Sequence, residues 1–304
     1  MKMSLSHSIS LSAYLEARKK ITDDALERCL PSEENYPPVI FKAVRYSVFA
    51  GGKRIRPILC MASAEAVGGD MESVLPVACA LELIHTYSLI HDDLPAIDDD
   101  DYRRGRLTNH KVFGEDIAIL AGDALLTEAF RLMSERTLTG KVAPEKLLAV
   151  IHDVAEAAGY FGMVGGQVVD VQSEGKTVES EVLHYIHTRK TGAMITSAIK
   201  AGAMLANAGE VELNALLTYG KHVGLAFQIA DDILNVEGDP ALLGKGTGSD
   251  AKRGKVTYPA LEGLEASRKK AGELVESALI VIKNFDQRAE PLRMIARYIV
   301  ERKF

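Results

Sequence analysis

Apolar residues recur every three or four positions through most of the chain, a spacing that places them on one face of an α-helix. Alternating apolar and polar runs with Asn-Gly turns, which indicate β-hairpins, are nearly absent. We expect Ser73 to cap the fourth helix and Gly68-Gly69 to end the third. The pattern predicts an all-α fold, as a single domain over residues 1–304, with helices at roughly 11–30, 37–49, 54–67, 74–93, 115–137, 144–170, 179–206, 210–236, 258–283 and 288–302.

Composition narrows the class of protein. The chain has 304 residues, and 47% of them are hydrophobic, which is enough for a large core. Its net charge of -6 shows no basic excess, so we expect no nucleic-acid partner. Three cysteines without Cys-x-x-Cys spacing argue against a disulfide framework or a zinc site and favour a cytoplasmic location. The sequence lacks a run of about 18 uncharged apolar residues, so we expect no membrane span. Its N-terminus lacks a sustained apolar segment, so we expect no signal peptide.

The segment IHDDLPAIDDDDYRRGR, from Ile90 to Arg106, places six aspartates immediately before three arginines. It follows the apolar run VACALELIHTYSL, and carboxylates at the end of a buried helix are costly unless they are paired or bound to metal. They also lie at the unfavourable end of the helix dipole. Pro95 disfavours a helical residue before it, so we expect the chain to loop out there and bring Asp92 and Asp98 together. A solvated charged loop is the alternative.

A second acidic cluster, Asp231 and Asp232, follows the apolar run HVGLAFQIA. Two independent violations of the same rule indicate function rather than accident, although solvated helix ends would also explain each cluster. Aspartates without His or Cys partners suit Mg²⁺, which prefers oxygen ligands and is commonly shared with substrate phosphates. The sequence therefore predicts magnesium bound between carboxylates and an anionic ligand.

Such a ligand needs cations, and basic residues occur in four short segments. Arginine suits bidentate phosphate contacts and lysine acts as a point charge, although any one of these residues could be an ordinary surface charge. The GGK tripeptide is not a P-loop, because it lacks the GxxxxGK[ST] spacing and no strand precedes it. The basic candidates are Lys53, Arg54, Arg56, Arg103, Arg104, Arg106, Lys190, Lys245 and Lys255.

Taken in order, GGKRIRP, DDxxxxD followed by RRG, GDALL, Lys190-Thr191, and FQIADDILN followed by GD…GK resemble the motifs of the trans-isoprenyl diphosphate synthases. The likeness runs from about residue 40 to 265. It implies a helical bundle around a deep central cavity, usually a homodimer. The implied substrates are isopentenyl diphosphate and an allylic diphosphate, dimethylallyl or geranyl, joined with the help of about three Mg²⁺ ions.

The resemblance also implies roles for individual residues. The residues implied for Mg²⁺ are Asp92 and Asp98, supported by Asp93, and Asp231 with Asp232 on the opposite wall. The residues implied for the allylic diphosphate are Arg103, Lys190 and Lys245, with Thr191 and Gln228 near the reacting carbons. Lys255 is a further substrate-binding candidate. The residues implied for isopentenyl diphosphate are Gly52, Lys53, Arg56, His85 and Arg104. Taken alone, His85 would more often be a core residue.

Two features bear on what this family member makes. Tyr87 and Ser88 lie five and four residues before Asp92, where a cavity floor would limit product length, and an aromatic there resembles bacterial farnesyl (C15) synthases. The run TNHKVFGEDIAILAGDALL resembles C20-forming relatives instead. Asn235 replaces the last aspartate of the usual second motif, which leaves its role in metal binding open. Loop 238–255, which carries Lys245, would be a lid.

Three other classes of protein share part of this pattern. A class I terpene cyclase shares the fold, but its (N/D)DxxSxxxE motif matches DDILNVEGD poorly, and it has no use for GGKRIRP. A metal-dependent phosphohydrolase built on the HDD sequence would need acidic partners beside its other histidines. A non-catalytic subunit of a synthase would be expected to lack the first aspartates, which are present here. The farnesyl-forming prenyltransferase is the preferred interpretation, with a geranylgeranyl-forming enzyme next.

Overall fold

The computed structural model describes residues 10–135, 141–237 and 255–301, and almost all of its regular structure is helical. Helices α1 to α6 span Leu11–Cys29, Pro38–Val48, Ile55–Ala66, Met71–Asp92, Asn109–Phe113 and Glu115–Met133. Helices α7 to α10 span Pro144–Ala158, Met163–Ser173, Ser180–Ile186 and Ala193–Leu205, with a π-helical turn at His187–Gly192 between the last two. Helices α11 to α14 span Glu210–Glu237, Tyr258–Glu262, Leu264–Val281 and Glu290–Glu301, with a 3-10 turn at Gln287–Ala289.

The long helices pack side by side in an order that differs from their order in the chain. Helix α4 lies between α6 and α3, α3 packs on α10, α10 on α11, and α11 on α13. One continuous apolar core links residues from Tyr14 near the N-terminus to Ile299 near the C-terminus. Burying one such Leu or Ile side chain contributes about 1.5–3 kcal/mol. The all-α prediction is confirmed, and the single-domain prediction stays a prediction.

Helix α4 carries the first acidic cluster and is apolar nearly all round, because neighbouring helices cover it. Two helical stretches have the length and apolar composition that a membrane crossing requires, namely Met71–Asp92 and Pro144–Ser173. No such span was expected from the sequence. Within their apolar windows, 67% of the first and 33% of the second lie buried inside the protein. Burial of that extent in α4 is typical of a core helix.

Several predicted boundaries were wrong, and glycine explains two of them. The helix predicted over 144–170 is divided into α7 and α8 at Gly159–Gly162, and the one over 258–283 is divided at Gly263, which has φ +80°. Asp70 caps α4 through its side chain, in place of Ser73, so this helix starts three residues earlier than predicted. The predicted end of α3 at Gly68-Gly69 is close to the observed one.

Candidate active site

The first acidic cluster forms where α4 ends. The helix stops at Asp92, and the chain then turns so that the backbone N–H of Asp98 donates to the carbonyl of Asp92 at 2.8 Å. The loop predicted around Pro95 is therefore present. Burial raises the pKa of Asp92 to about 6, with the charge of Asp98 adding to this effect and Lys190 opposing it. The two carboxylates thus lie close enough to repel each other.

Asp93 points elsewhere and positions an arginine. Its carboxylate is almost fully buried and accepts hydrogen bonds from Nε of Arg103 at 2.6 and 2.8 Å. Arg103 lies on a short β-hairpin, whose strands are β1 (Tyr102–Arg103) and β2 (Arg106–Leu107), and also contacts Asp100. Asp93 supports the site by fixing the direction of this guanidinium.

A second group of charges lies beside the π turn. Lys190 Nζ donates to Asp170 Oδ2 at 2.7 Å, and Lys255 Nζ lies 3.0 Å from Asp98 Oδ1 and 3.6 Å from Asp170 Oδ2. Asp170, on α8, therefore lies between two lysines predicted to hold a diphosphate. Asp170 was not predicted from the sequence. The feature that could have revealed it is the polar interruption GGQVVD within an apolar helix.

The second acidic cluster separates into two different environments on α11. The charge of Asp231 acts on Arg56, where it opposes the pKa-lowering effect of burial. Asp232 is 5% exposed, and its oxygens accept from Gln228 Nε2 at 3.1 Å and from the backbone N–H of Tyr258 at 2.9 Å. His187 Nε2 lies 3.3 Å from the same carboxylate. These contacts hold the carboxylate of Asp232 in place, and its role as a metal ligand stays a prediction.

Several residues predicted for the allylic substrate do converge. Thr191 Oγ1 donates to Gln228 Oε1 at 2.9 Å, which joins the π turn to α11. A polar cavity of about 130 Å³ is lined by Asp170, Lys190, Thr191, Gln228, Asp232 and Lys255, among others. The predicted contact at Lys245 and the predicted lid fall within residues 238–254, outside the part of the chain that the structure describes.

The residues predicted for isopentenyl diphosphate form a basic cluster at the start of α3. Burial lowers the pKa of His85 well below its usual value, and the charges of Arg56 and Arg104 lower it further, so His85 is neutral near pH 7. Arg104 donates to the carbonyl of Gly51. Gly52 has φ +128°, a conformation that favours glycine, and a Cβ there would lie 2.6 Å from Arg104 Nη1, so the guanidinium would have to move. An anion among these groups would relieve their mutual repulsion.

The donor set fits Mg²⁺ shared with a substrate. No three His, Cys, Asp or Glu side chains within residues 10–135, 141–237 and 255–301 are grouped closely enough to hold a metal by themselves. Asp92 and Asp98 form a repelling carboxylate pair that a divalent cation would stabilise. Mg²⁺ is usually held by one or two carboxylates together with substrate phosphates. These two residues match that requirement, whereas an all-protein metal cage is excluded for the described residues.

Tyr87 lies on α4 below the first cluster. Its side chain is 7% exposed and contacts His91 edge-on, with ring centroids 5.8 Å apart. Burial and the charge of Asp92 raise the pKa of Tyr87 to about 12. Ser88 donates its hydroxyl hydrogen to the carbonyl of His85 at 2.9 Å. Of the two predicted chain-length residues, only Tyr87 has the bulk to close a cavity.

Comparison with known proteins shows which family this chain is similar to. Residues 37–294 match the family model described as polyprenyl synthetase. The chain is 50% identical over 299 residues to a geranylgeranyl diphosphate synthase of Cyanophora paradoxa, with 98% of each chain covered. It is 45% identical over 294 residues to a farnesyl diphosphate synthase of Geobacillus stearothermophilus, covering 97% of this chain and 98% of that one.

A solved structure described as an FPP/GFPP synthase from Zymomonas mobilis superposes with a TM-score of 0.85 at 38% identity. The superposition covers 95% of this chain and 98% of that one. These relatives share one fold and one class of reaction, and their names differ in product length.

Proposed function

Because the chain belongs to the polyprenyl synthetase family and is a trans-prenyltransferase, we propose that its product is farnesyl diphosphate. The substrates would be isopentenyl diphosphate with dimethylallyl and then geranyl diphosphate. The observation that carries this proposal is the buried ring of Tyr87, five residues before Asp92 on α4. Five residues span about 7.5 Å along the helix, so a prenyl chain that extends along α4 from a diphosphate at Asp92 would meet this ring.

The allylic diphosphate would bind between Asp92 and Asp98 on one wall and Lys190 and Lys255 on the other. Mg²⁺ at these carboxylates, with Asp231 as the proposed ligand of a third ion, would neutralise charge that builds on the leaving diphosphate. Lys190 and Lys255 are already oriented by Asp170, and cations aimed at the leaving group in advance lower the barrier to ionisation. Arg103, held by Asp93, adds a further donor.

The isopentenyl diphosphate would bind among Lys53, Arg56 and Arg104, with neutral His85 as a hydrogen-bonding partner. Its double bond would attack the allylic carbocation beside Thr191 and Gln228, whose oxygens carry partial negative charge that favours a nearby cation. The proton lost afterwards would pass to the departing diphosphate. The apolar lining would keep water from quenching the carbocation.

The experiment is a product analysis by mass spectrometry with isopentenyl diphosphate, Mg²⁺ and each allylic diphosphate in turn. The proposal expects a C15 product and no extension of farnesyl diphosphate. Tyr87→Ala should lengthen the product, while Tyr87→Phe, which keeps the ring, should retain C15. Extension of farnesyl diphosphate by the unmodified enzyme would overturn the product proposal and leave the prenyltransferase assignment intact.

A C20 product is the second candidate, and it has a specific basis. The Cyanophora relative, at 50% identity over nearly the whole chain, carries the name geranylgeranyl diphosphate synthase. In that case Tyr87 would line the cavity without closing it, and Tyr87→Ala would leave product length unchanged. The same product analysis therefore separates the two candidates.

We also propose a homodimer. Val164, Val168 and Val171 follow one another at i, i+4 and i+7 on α8 and are all exposed, and Ile119 and Leu120 of α6 are exposed as well. Exposed apolar stripes of this kind are typical of protein interfaces.

Sedimentation analysis tests the dimer. Val164→Glu with Val168→Glu should yield a monomer, whereas Val211→Glu, at another exposed valine, should not. A monomeric unmodified protein would overturn the proposal.

A cytoplasmic location is likewise a proposal, supported by the odd number of cysteines.

A further inference from the structure

A groove of about 840 Å³ lies on the reverse side of the π turn, between α7, α10, α11 and α13. Thr188, Arg189 and Gly192 of that turn line the groove, whereas Lys190 and Thr191 line the catalytic cavity. The two spaces therefore share the π turn as a wall and are separate sites. Binding sites for small molecules commonly have volumes of about 300–1,000 Å³.

Part of the groove is basic. Lys221 and His222 of α11 and Lys270 of α13 all line it. Burial lowers the pKa of His222, and the charges of Lys221 and Lys270 lower it further. Neither lysine pairs with a carboxylate within the described part of the chain. These residues therefore form a cationic patch.

The basic side chains that line the groove outnumber the acidic ones. Asp153 forms an ion pair with Lys200, and Glu156 is the other carboxylate of the lining. Arg189, Lys221 and Lys270 remain against Glu156, so the lining keeps a net positive charge. An anionic group is the ligand that this distribution favours.

A buried hydroxyl adds a second, independent observation. Ser197 of α10 lines the groove, is 5% exposed, and its Oγ has no hydrogen-bond partner among the residues that the structure describes. Nearly all buried polar groups in native proteins are hydrogen-bonded to protein, water or ligand. A polar ligand atom in the groove would satisfy this hydroxyl.

The remaining lining is apolar. Leu217 and Leu225 lie two turns apart on α11, on either side of Lys221, and Leu274 faces them from α13. A ligand with a charged head at Lys221 would lay an attached apolar chain toward Leu225 and Leu274, which belong to one apolar cluster. Burial of each methylene contributes about 0.8 kcal/mol, which is about fourfold in affinity.

We propose that this groove binds a phosphorylated amphiphile, with a phosphate or diphosphate head at Lys221 and Lys270 and a single apolar chain along the leucines. The proposal concerns a site apart from the catalytic cavity and does not depend on product length. A free prenyl or alkyl phosphate has this chemistry, while inorganic phosphate supplies only its head and an alcohol only its chain.

The test uses isothermal titration of the full chain with hexyl phosphate and octyl phosphate, and with inorganic phosphate and octanol for comparison. Octyl phosphate, with two more methylenes, should bind about sixteenfold more tightly than hexyl phosphate, and the two partial ligands should bind far more weakly. Lys221→Gln with Lys270→Gln should weaken octyl phosphate binding at least about tenfold. Both lysines are exposed, so these changes should leave the fold intact.

Two control variants locate the site. Lys283→Gln, at another exposed lysine, should not change the affinity. Lys190→Gln, in the catalytic cavity, should not change it either. If Lys190→Gln abolishes binding while the double variant retains it, the ligand occupies the catalytic cavity and the proposal fails. Equal affinities for the two chain lengths would also overturn it.

Discussion

Arg54 at the start of α3 offers a sharp test of how the basic cluster is held. Its guanidinium donates to Asp23 Oδ1 at 2.8 Å, to Glu82 Oε1 at 2.8 Å and to the carbonyl of Val48 at 2.6 Å. The side chains of Arg54 and Glu82 are 1% and 2% exposed. Burial opposes the charge of Arg54, but Glu82 and Asp23 outweigh it and raise the arginine's pKa. One side chain thus fastens α1, α3 and α4 together.

Arg54→Met keeps the apolar stem and removes the charge. Glu82 would then be a buried carboxylate without its partner, and breaking such a pair costs about 3–5 kcal/mol. In a chain of this size each kcal/mol lowers the melting temperature by about 2–4 °C, so a decrease of roughly 10 °C is expected. Adding Glu82→Leu should restore most of the stability, because apolar replacements of buried ion pairs are often neutral.

A functional effect should accompany the loss of stability. Arg54 has φ +52°, a left-handed conformation that its buried contacts stabilise, and it lies between Lys53 and Arg56. Arg54→Met should therefore raise KM for isopentenyl diphosphate more than KM for the allylic substrate. The double variant should regain stability without regaining this KM, since the left-handed turn has lost its contacts.

The assays are denaturant unfolding at fixed protein concentration and steady-state kinetics with each substrate varied. Arg131→Met is the matched control, because Arg131 pairs with Glu128 on the surface, where ion pairs contribute about 0–1 kcal/mol. A loss below about 1 kcal/mol in Arg54→Met would refute the reasoning, as would a double variant no more stable than the single one.

Three further outcomes follow from the site. Gly52→Ala should raise KM for isopentenyl diphosphate severalfold, because Cβ would displace Arg104; an unchanged KM would contradict the crowding. Asp170→Asn should lower kcat about tenfold or more by weakening the orientation of Lys190, and an effect confined to isopentenyl diphosphate would contradict this. A hydrogen bond from Cys79 lowers the pKa of Cys29 to about 7, so iodoacetamide should label Cys29 increasingly as pH rises through 7. Burial raises the pKa of Cys60 to about 12, and comparable labelling of Cys60 would contradict the assignment.

Hydrophobic periodicity was a sound guide to the helices and a poor guide to their interruptions. A glycine inside an apolar pattern is compatible with a continuous helix, so the breaks at Gly162 and Gly263 could not be read from spacing alone. The π turn was missed for a related reason. One extra residue in a helical turn hardly alters a periodicity measured over the 28 residues predicted at 179–206.

Local chemistry explains which site residues were predictable. Pro95 forces the chain out of the helix, so the approach of Asp92 to Asp98 follows from sequence alone. Asp231 and Asp232 are adjacent on α11 and point about 100° apart, and only packing decides which one turns inward. Asp170 belongs to no acidic cluster in the sequence, and its contacts with two lysines arise from the tertiary fold.

The π turn at His187–Gly192 holds one residue more than a regular α-helix would need between α9 and α10. An α-helix advances about 100° per residue, and a π turn accommodates one residue more than an α turn over the same rise. Deleting one residue here would convert the π turn to an α turn and leave the rotational phase of α10 nearly unchanged, but the side chains inside the turn, Lys190 and Thr191 among them, would change direction. Sequence length in this turn is therefore a geometric constraint on the active site: a substitution can be absorbed there, whereas a single-residue deletion would turn these side chains away from their partners.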